Sequence, residues 1–193
     1  MKVVFASHNP HKAEQVTLLL PDVELVPLDT VAPGLALAEP FDTFEGNALA
    51  KARAAVDATG LPAVADDSGL EVDALGGEPG VRSARYAGDA ASDAENNRKL
   101  VAKLREVPED ERTCRYKCVA ALVLTDGRTV VAEGSCAGRV MLEGRGTMGF
   151  GYDPHVVPDG ENRTMAEIPL AEKLRFSHRG RAFRALATKM ESL

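Results

Sequence analysis

The stretch VADDSGLEV, residues 64–72, sets two adjacent carboxylates, a hydroxyl and a glycine between two short apolar runs. With the preceding run read as a strand, Asp66 and Asp67 fall at its C-terminal end, where α/β sheets place ligands. Carboxylates in that position can bind a hard cation such as Mg²⁺ or activate a water; a plain turn is the other reading. SHNPHK, residues 7–12, leaves one apolar run and enters a helix-like one. Free N–H groups and the positive helix end favour an anion there, and Lys12 adds a mobile charge. The same residues also suit an ordinary helix cap, and their spacing matches neither a Walker loop nor a dinucleotide fingerprint. Lys51, in NALAKARAA, is a lone helical lysine of a kind that is ordinarily solvated. GTMGFGYDP, residues 146–154, supplies glycines for close backbone approach around Phe150, whose ring can stack on a base or anchor the loop. EKLRFSHRG, residues 172–180, groups Lys173, His178 and Arg179 around a cap at Ser177. A basic first turn opposes the helix dipole, so either a nearby anion compensates it or the end is solvated.

The elements that must position these residues alternate early and change character later. Apolar runs at 2–6, 23–28 and 62–66 read as strands. Residues 10–20 read as a helix with Pro10 in its first turn, and the Pro/Gly/Ala-rich stretch 29–42 as a loop. Thr43 caps a helix that runs to about Thr59 and stops at Gly60. Strand, helix, strand, helix, strand argues for an α/β sheet. Beyond a turn cluster at 76–80, SDAE at 92–95 has the form of a capping box and opens a helix to about Leu104. Two long β-like runs, 113–125 and 129–141, are joined by DGR, a hairpin signal. The expectation is a mixed central β-sheet flanked by helices, in two lobes with an active-site cleft between them, over one domain spanning residues 1–193.

Composition narrows the classes of function. With 45% hydrophobic residues the chain can bury a substantial core. Its net charge of −6 works against a duplex nucleic-acid binder held by phosphate neutralisation, while a local lysine and arginine cluster can still receive a small anion. Cys114, Cys118 and Cys136 form no C-x-x-C pair and read as buried reduced thiols. The chain enters VVFA directly after Lys2, without a long apolar leader, and has no run of membrane-spanning length, so the expected location is cytoplasmic, with no membrane partner.

In order along the chain, SHNPHK, TFEGNALAKARAA, ADDSGLEVDALGGEPGVRSARYAG, GFGYDP and EKLRFSHRG form a set much more specific than any one of them. The chain resembles the inosine triphosphate pyrophosphatase family, the Ham1-like non-canonical purine NTP pyrophosphatases, over nearly its whole length. The resemblance implies that Ser7, His8, Asn9, Pro10, His11 and Lys12 form the triphosphate loop, with Asn9 and Lys12 as side-chain contacts and Lys51 as a further phosphate ligand. It implies that Asp67 is the catalytic base and a metal ligand, with Glu39 as a second metal-binding acid, Asp66 beside it and Ser68 on the substrate. Phe150, Gly151, Tyr152 and Asp153 would form the base pocket, with Lys173, His178 and Arg179 as its other wall. Two departures, SHN where many members have TGN and Met148 where glycine is frequent, alter pocket shape more than chemistry.

The implied reaction is hydrolysis of ITP, dITP and XTP with Mg²⁺ to the monophosphate and pyrophosphate, in a homodimer. Selection would rest on the 6-oxo acceptor of the base, which donors from His178, Arg179 or backbone N–H groups can bind, whereas adenine presents an amino donor. Two alternatives are a broader pyrophosphatase acting on other modified or pyrimidine triphosphates and a nucleotide-responsive binding protein that turns nothing over.

Overall fold

In the computed structural model, described over residues 1–192, three parallel strands lie at the start of the fold. β1 (Lys2–Phe5) pairs with β2 (Glu24–Pro27) on one side and with β3 (Ala63–Val72) on the other. The hydrogen-bonded strand order is β2-β1-β3-β4-β5-β6, where β4 is Thr113–Val123, β5 Thr129–Val140 and β6 Val156–Pro158. The β5–β6 pair is antiparallel, so the sheet is mixed, as the long hairpin signal implied. Leu124 N–H donates to Arg128 O at 2.9 Å and closes that hairpin around DGR.

The helices begin and end where local chemistry directs. α1 (Pro10–Leu19) starts from Asn9, whose side-chain oxygen accepts the His11 and Lys12 N–H groups. A short α2 (Leu28–Val31) opens the segment read as loop, because Leu28 buries fully against Val4, Ala6 and Ala52. α3 (Phe44–Thr59) is capped by Thr43, and Gly60 ends it in the left-handed conformation. α4 (Asp93–Leu104) carries the full capping box: Ser92 Oγ accepts from Glu95 N–H at 3.3 Å while Glu95 Oε2 accepts from Ser92 N–H at 2.8 Å. α5 (Leu170–Phe176) and α6 (His178–Met190) are separated at Ser177.

Met1–Asp67, Cys118–Gly134 and the chain from Arg179 onward form one compact unit; Ser68–Lys117 and Ser135–His178 form another. In the first, Val3, Phe5 and Val64 pack with Val16 of α1 and Phe183 and Leu186 of α6, while Val4, Ala6, Ala63 and Ala65 pack with Ala52 and Ala55 of α3. Alternate strand residues thus serve opposite sheet faces. In the second, Leu70, Val72, Tyr116 and Val140 pack with Leu100 and Leu104 of α4. The three cysteines are buried and unbridged, and burial pushes the Cys114 thiol up to about 12. No helix among the described residues is long and apolar enough to cross a membrane.

Ser92→Ala removes the side-chain half of the α4 box, leaving only the residue 92 N–H on Glu95, and is expected to cost about 1 kcal/mol in urea unfolding without changing the fold.

Candidate active site

The parallel register sets the first half of the site. Phe5 lies opposite Val64, and Ala6 N–H donates to Val64 O at 2.8 Å, which brings the 7–12 loop alongside Asp66. β3 does not stop there, as its sequence suggested: it runs on to Val72 and carries Asp66 and Asp67 in its interior. They follow the end of β1 rather than the end of their own strand. Being adjacent in a strand, they point to opposite faces and do not act as a pair.

Asp66 shares its face with Val64, towards α1 and α6. Its Oδ2 accepts from Arg179 Nη2 at 3.0 Å and Nε at 3.3 Å and lies 3.2 Å from Lys12 Nζ. Burial alone would raise its pKa, but the charges of Lys12, Arg179 and Lys51 outweigh burial and hold the carboxyl well below the ordinary carboxylate range. Arg179 Nη1 donates to Gln15 Oε1 at 2.9 Å. Arg179, expected at the edge of a base, is 2% exposed and donates to Asp66 and Gln15. The anion that its place in the first turn of α6 demands is Asp66.

Asp67 shares its face with Ala65, towards α3. Asn47 Nδ2 donates to its Oδ2 at 3.1 Å and Lys51 Nζ to its Oδ1 at 3.3 Å. Asn47 and Lys51 are i and i+4 on α3, so both reach the same carboxylate. Lys51 is not solvated but 6% exposed, and its Nζ also donates to Glu39 Oε1 at 2.6 Å. Burial lowers the Lys51 pKa, yet the charges of Asp67, Glu39 and Asp66 reverse this and leave it raised. Burial pushes the Asp67 pKa up; Lys51 pulls it back and Glu39 pushes it up again, so the net direction is upward. The lysine thus stays charged, while the positive charge about Asp67 is too small to offset its burial and the nearby Glu39.

The 7–12 loop is partly committed to its own structure. His8 Nδ1 lies 3.0 Å from Asp29 Oδ1 and its Nε2 2.9 Å from Leu35 O, Ser7 Oγ accepts from Asn9 N–H at 3.2 Å, and the Asn9 side-chain oxygen caps α1. Pro10 and His11 occupy the exposed first turn, and Lys12 reaches Asp66.

In the second unit, Lys173 Nζ donates to Asp153 Oδ2 at 2.8 Å, and Tyr116 OH donates to Asp153 Oδ1 at 3.1 Å. Burial, reinforced by the Asp153 charge, pushes the Tyr116 phenol well above its ordinary value and keeps it a donor. The Tyr116 ring stacks on His178 with centroids 4.7 Å apart. Gly149 has φ +84°, and a Cβ there would stand 2.1 Å from Asp153 Oδ2 and 2.7 Å from Lys173 Nζ, so only glycine lets the loop lie over this pair. Phe150 is half-buried, Tyr152 OH donates to Ser83 O at 2.8 Å, and Ser68 is half-buried in β3.

A sequence profile of the Ham1 family matches residues 3–189. The chain belongs to the Ham1 family. Relatives named dITP/XTP pyrophosphatase include one from Frankia alni, 48% identical over all of this chain and 98% of its own length, and one from Symbiobacterium thermophilum, 48% identical over 100% and 96%. The structure of the Staphylococcus aureus Ham1 protein superposes with a TM-score of 0.89 at 36% identity, covering 100% of this chain and 99% of that one. A nucleoside-triphosphatase / dITP/XTP pyrophosphatase from Mycobacterium abscessus gives 0.78 at 46% identity, covering 98% and 99%.

Within this Ham1 chain, the donor set around Lys51 suits a hard divalent cation. Glu39 and Asp67 converge on a single cationic nitrogen, and one or two carboxylates are what such an ion takes from protein when phosphate oxygens and water supply the rest. No group of three or more His, Cys, Asp or Glu side chains is arranged as a metal cage among the described residues, so most ligands would come from outside the protein.

Sequence reasoning missed Asn47, Gln15 and Tyr116. The first two stand i−4 from Lys51 and i+3 from Lys12, a helical spacing that would have found them; Tyr116 lies within the 113–125 run, whose alternation carries no sign of a polar partner. Asp66→Ala strands the Arg179 charge in the interior and is expected to lower unfolding free energy by about 3–5 kcal/mol. Adding Arg179→Met should recover part of that loss, measured by denaturant titration of both variants.

Proposed function

We propose that this chain hydrolyses the non-canonical purine nucleoside triphosphates ITP, dITP and XTP to the monophosphate and pyrophosphate, clearing them from the nucleotide pool. The observation that carries the proposal is the buried Asp67 carboxylate, gripped by Asn47 and Lys51 and raised in pKa, with a second acid, Glu39, on the same lysine. A carboxylate of raised basicity held by fixed donors is suited to orient a water and take its proton. Names of relatives supply the substrate class.

In this reading Asp67 and Glu39 hold Mg²⁺, which when bound neutralises phosphate charge. Lys12 and Lys51 bind the triphosphate oxygens, and Ser7 to His11 form the turn that sets the positive end of α1 beside them. Each lysine already has carboxylate partners, so substrate must compete with or share them; the resulting arrangement places cations beside the phosphates without exposing them to solvent. Attack of water on the α-phosphorus breaks the α–β anhydride, and pyrophosphate leaves. Ser68 contacts the substrate.

Base recognition falls to Phe150, Gly151, Tyr152 and Asp153 with Lys173 and His178. Phe150 supplies a stacking ring, and the Asp153–Lys173 pair and His178 supply polar groups for an oxo-purine edge. Arg179 acts on substrate through Asp66 and Lys12, because Asp66 already binds its Nε and Nη2. We further propose that the chain works as one domain, as a homodimer in the cytoplasm, without nucleic acid or membrane partners.

With Mg²⁺ and a panel of ITP, dITP, XTP, GTP, ATP and pyrimidine triphosphates, the expected products from the first three are monophosphate and pyrophosphate, with much slower turnover of ATP. Orthophosphate and diphosphate as products would overturn the reaction assignment. Asp67→Asn is expected to keep the fold by circular dichroism and to lower kcat by about 10²-fold or more.

A further inference from the structure

The loop read as the base pocket is held from α4, by two residues with no role assigned so far. Gly151 N–H donates to Asp93 Oδ2 at 2.6 Å, and Asn97 Nδ2 donates to Gly151 O at 2.8 Å. Asp93 and Asn97 are i and i+4, so one face of one helix binds both backbone groups of a single residue. We propose that Asp93 and Asn97 are positioning residues for base selectivity, acting through the Gly151 backbone to hold Phe150 and Asp153 in place. The proposal rests on the assignment of residues 150–153 to base recognition.

α4 is built to be a fixed platform. Its N-terminus carries the Ser92–Glu95 box, Leu100 and Leu104 are fully buried, and Asn96 ties it to the 84–87 segment by accepting from Ala87 N–H at 2.8 Å and donating to Ala84 O at 3.1 Å. The loop is tied at residues 145 and 148, where Arg145 N–H donates to Pro154 O at 2.9 Å and Met148 N–H to Ala166 O at 3.0 Å, but it belongs to no helix or strand. Residues 143–149 are exposed and lack regular strand or helix pairing, and the link from Phe150 N–H to Asp153 Oδ2 is long at 3.4 Å. Tyr152 OH on Ser83 O anchors the far side. Gly151 lies between Phe150 and that anchor, so the orientation of the two peptide groups flanking it sets where the Phe150 ring and the start of the Asp153 turn stand. A hydrogen-bonded clamp on both groups removes that freedom before substrate arrives, which is how preorganisation raises affinity and selectivity.

A positioning role for base reading separates from a merely structural one by what it leaves alone. Asn97→Ala and Asp93→Ala are each expected to raise KM for ITP about tenfold with kcat changed much less, and to lower the ITP/ATP ratio of kcat/KM by a similar factor. Inhibition by pyrophosphate, which carries no base, should stay at the wild-type level. Asp93→Asn keeps an oxygen facing the Gly151 N–H and should retain selectivity. Asp93 is exposed, so its variants test the clamp even if Asn97→Ala folds poorly. Hydrogen exchange of the 146–153 peptide should speed up in the alanine variants and not in Asp93→Asn. Equal impairment of ITP and ATP, weakened pyrophosphate inhibition, or unchanged exchange in the alanine variants would overturn the proposal. A wild-type enzyme with no ITP preference but with the expected exchange changes would overturn the base-pocket reading while leaving the clamp in place.

Discussion

A pleated strand turns neighbouring side chains to opposite faces, and the first half of this site depends on that alternation. Asp66 and Asp67 differ by one position in β3, yet one meets α1 and α6 and the other meets α3. Shifting the register by one residue would exchange their partners and turn Val64 and Ala65 to the wrong cores. The hydrophobic packing of the first unit therefore enforces the assignment of the two acids. The same contacts that stabilise the sheet decide which carboxylate meets Arg179 and Lys12 and which meets Asn47 and Lys51.

The charges on the two faces are unequal in opposite senses. Towards α1 and α6, one carboxylate serves Lys12 and Arg179, which leaves an excess of positive charge. Towards α3, one lysine serves Glu39 and Asp67, which leaves an excess of negative charge. A metal–triphosphate carries both signs, and the two imbalances suit its two parts: the first favours phosphate, the second a divalent cation. The overall charge of −6 says nothing of this, because the decisive quantities are local.

Much of the fold was legible wherever a local signal sets a boundary. Thr43 and Gly60 delimit α3, the SDAE box opens α4, and DGR closes the β4–β5 hairpin, each by chemistry contained within a few residues. The extent of β3 was not legible, since Asp, Ser and Gly have low strand propensity and the strand continues through them because of its neighbours, including Leu70 N–H bound to Ser83 Oγ. The partnership of Arg179 with Asp66 joins residues 113 positions apart, and no local pattern encodes it. Motif resemblance pointed to the family whose profile matches residues 3–189. It could not say that Arg179 would be occupied by an acid of the same set, nor that Asn47, rather than Asp66, would stand beside Asp67.

The two units solve one problem by different means. In the first, functional side chains project from strand and helix interiors, where packing fixes them: Asn47, Lys51 and Asp67 are all buried. In the second, the 149–153 segment is a loop whose glycines let it approach the Asp153–Lys173 pair but cost it rigidity of its own. Glycine at 149 is obligatory for that approach, so stiffness has to come from outside the loop. The second unit supplies it through polar side chains aimed at backbone groups, the Tyr152 phenol on Ser83 O and the α4 residues on Gly151. The α4 contacts hold the loop by its backbone, at Gly151. On the proposed assignment, charges built on packed elements and a loop stiffened through its backbone would meet different demands: phosphate-binding groups that must stay at fixed distances, and a surface that must stay open to a planar ligand.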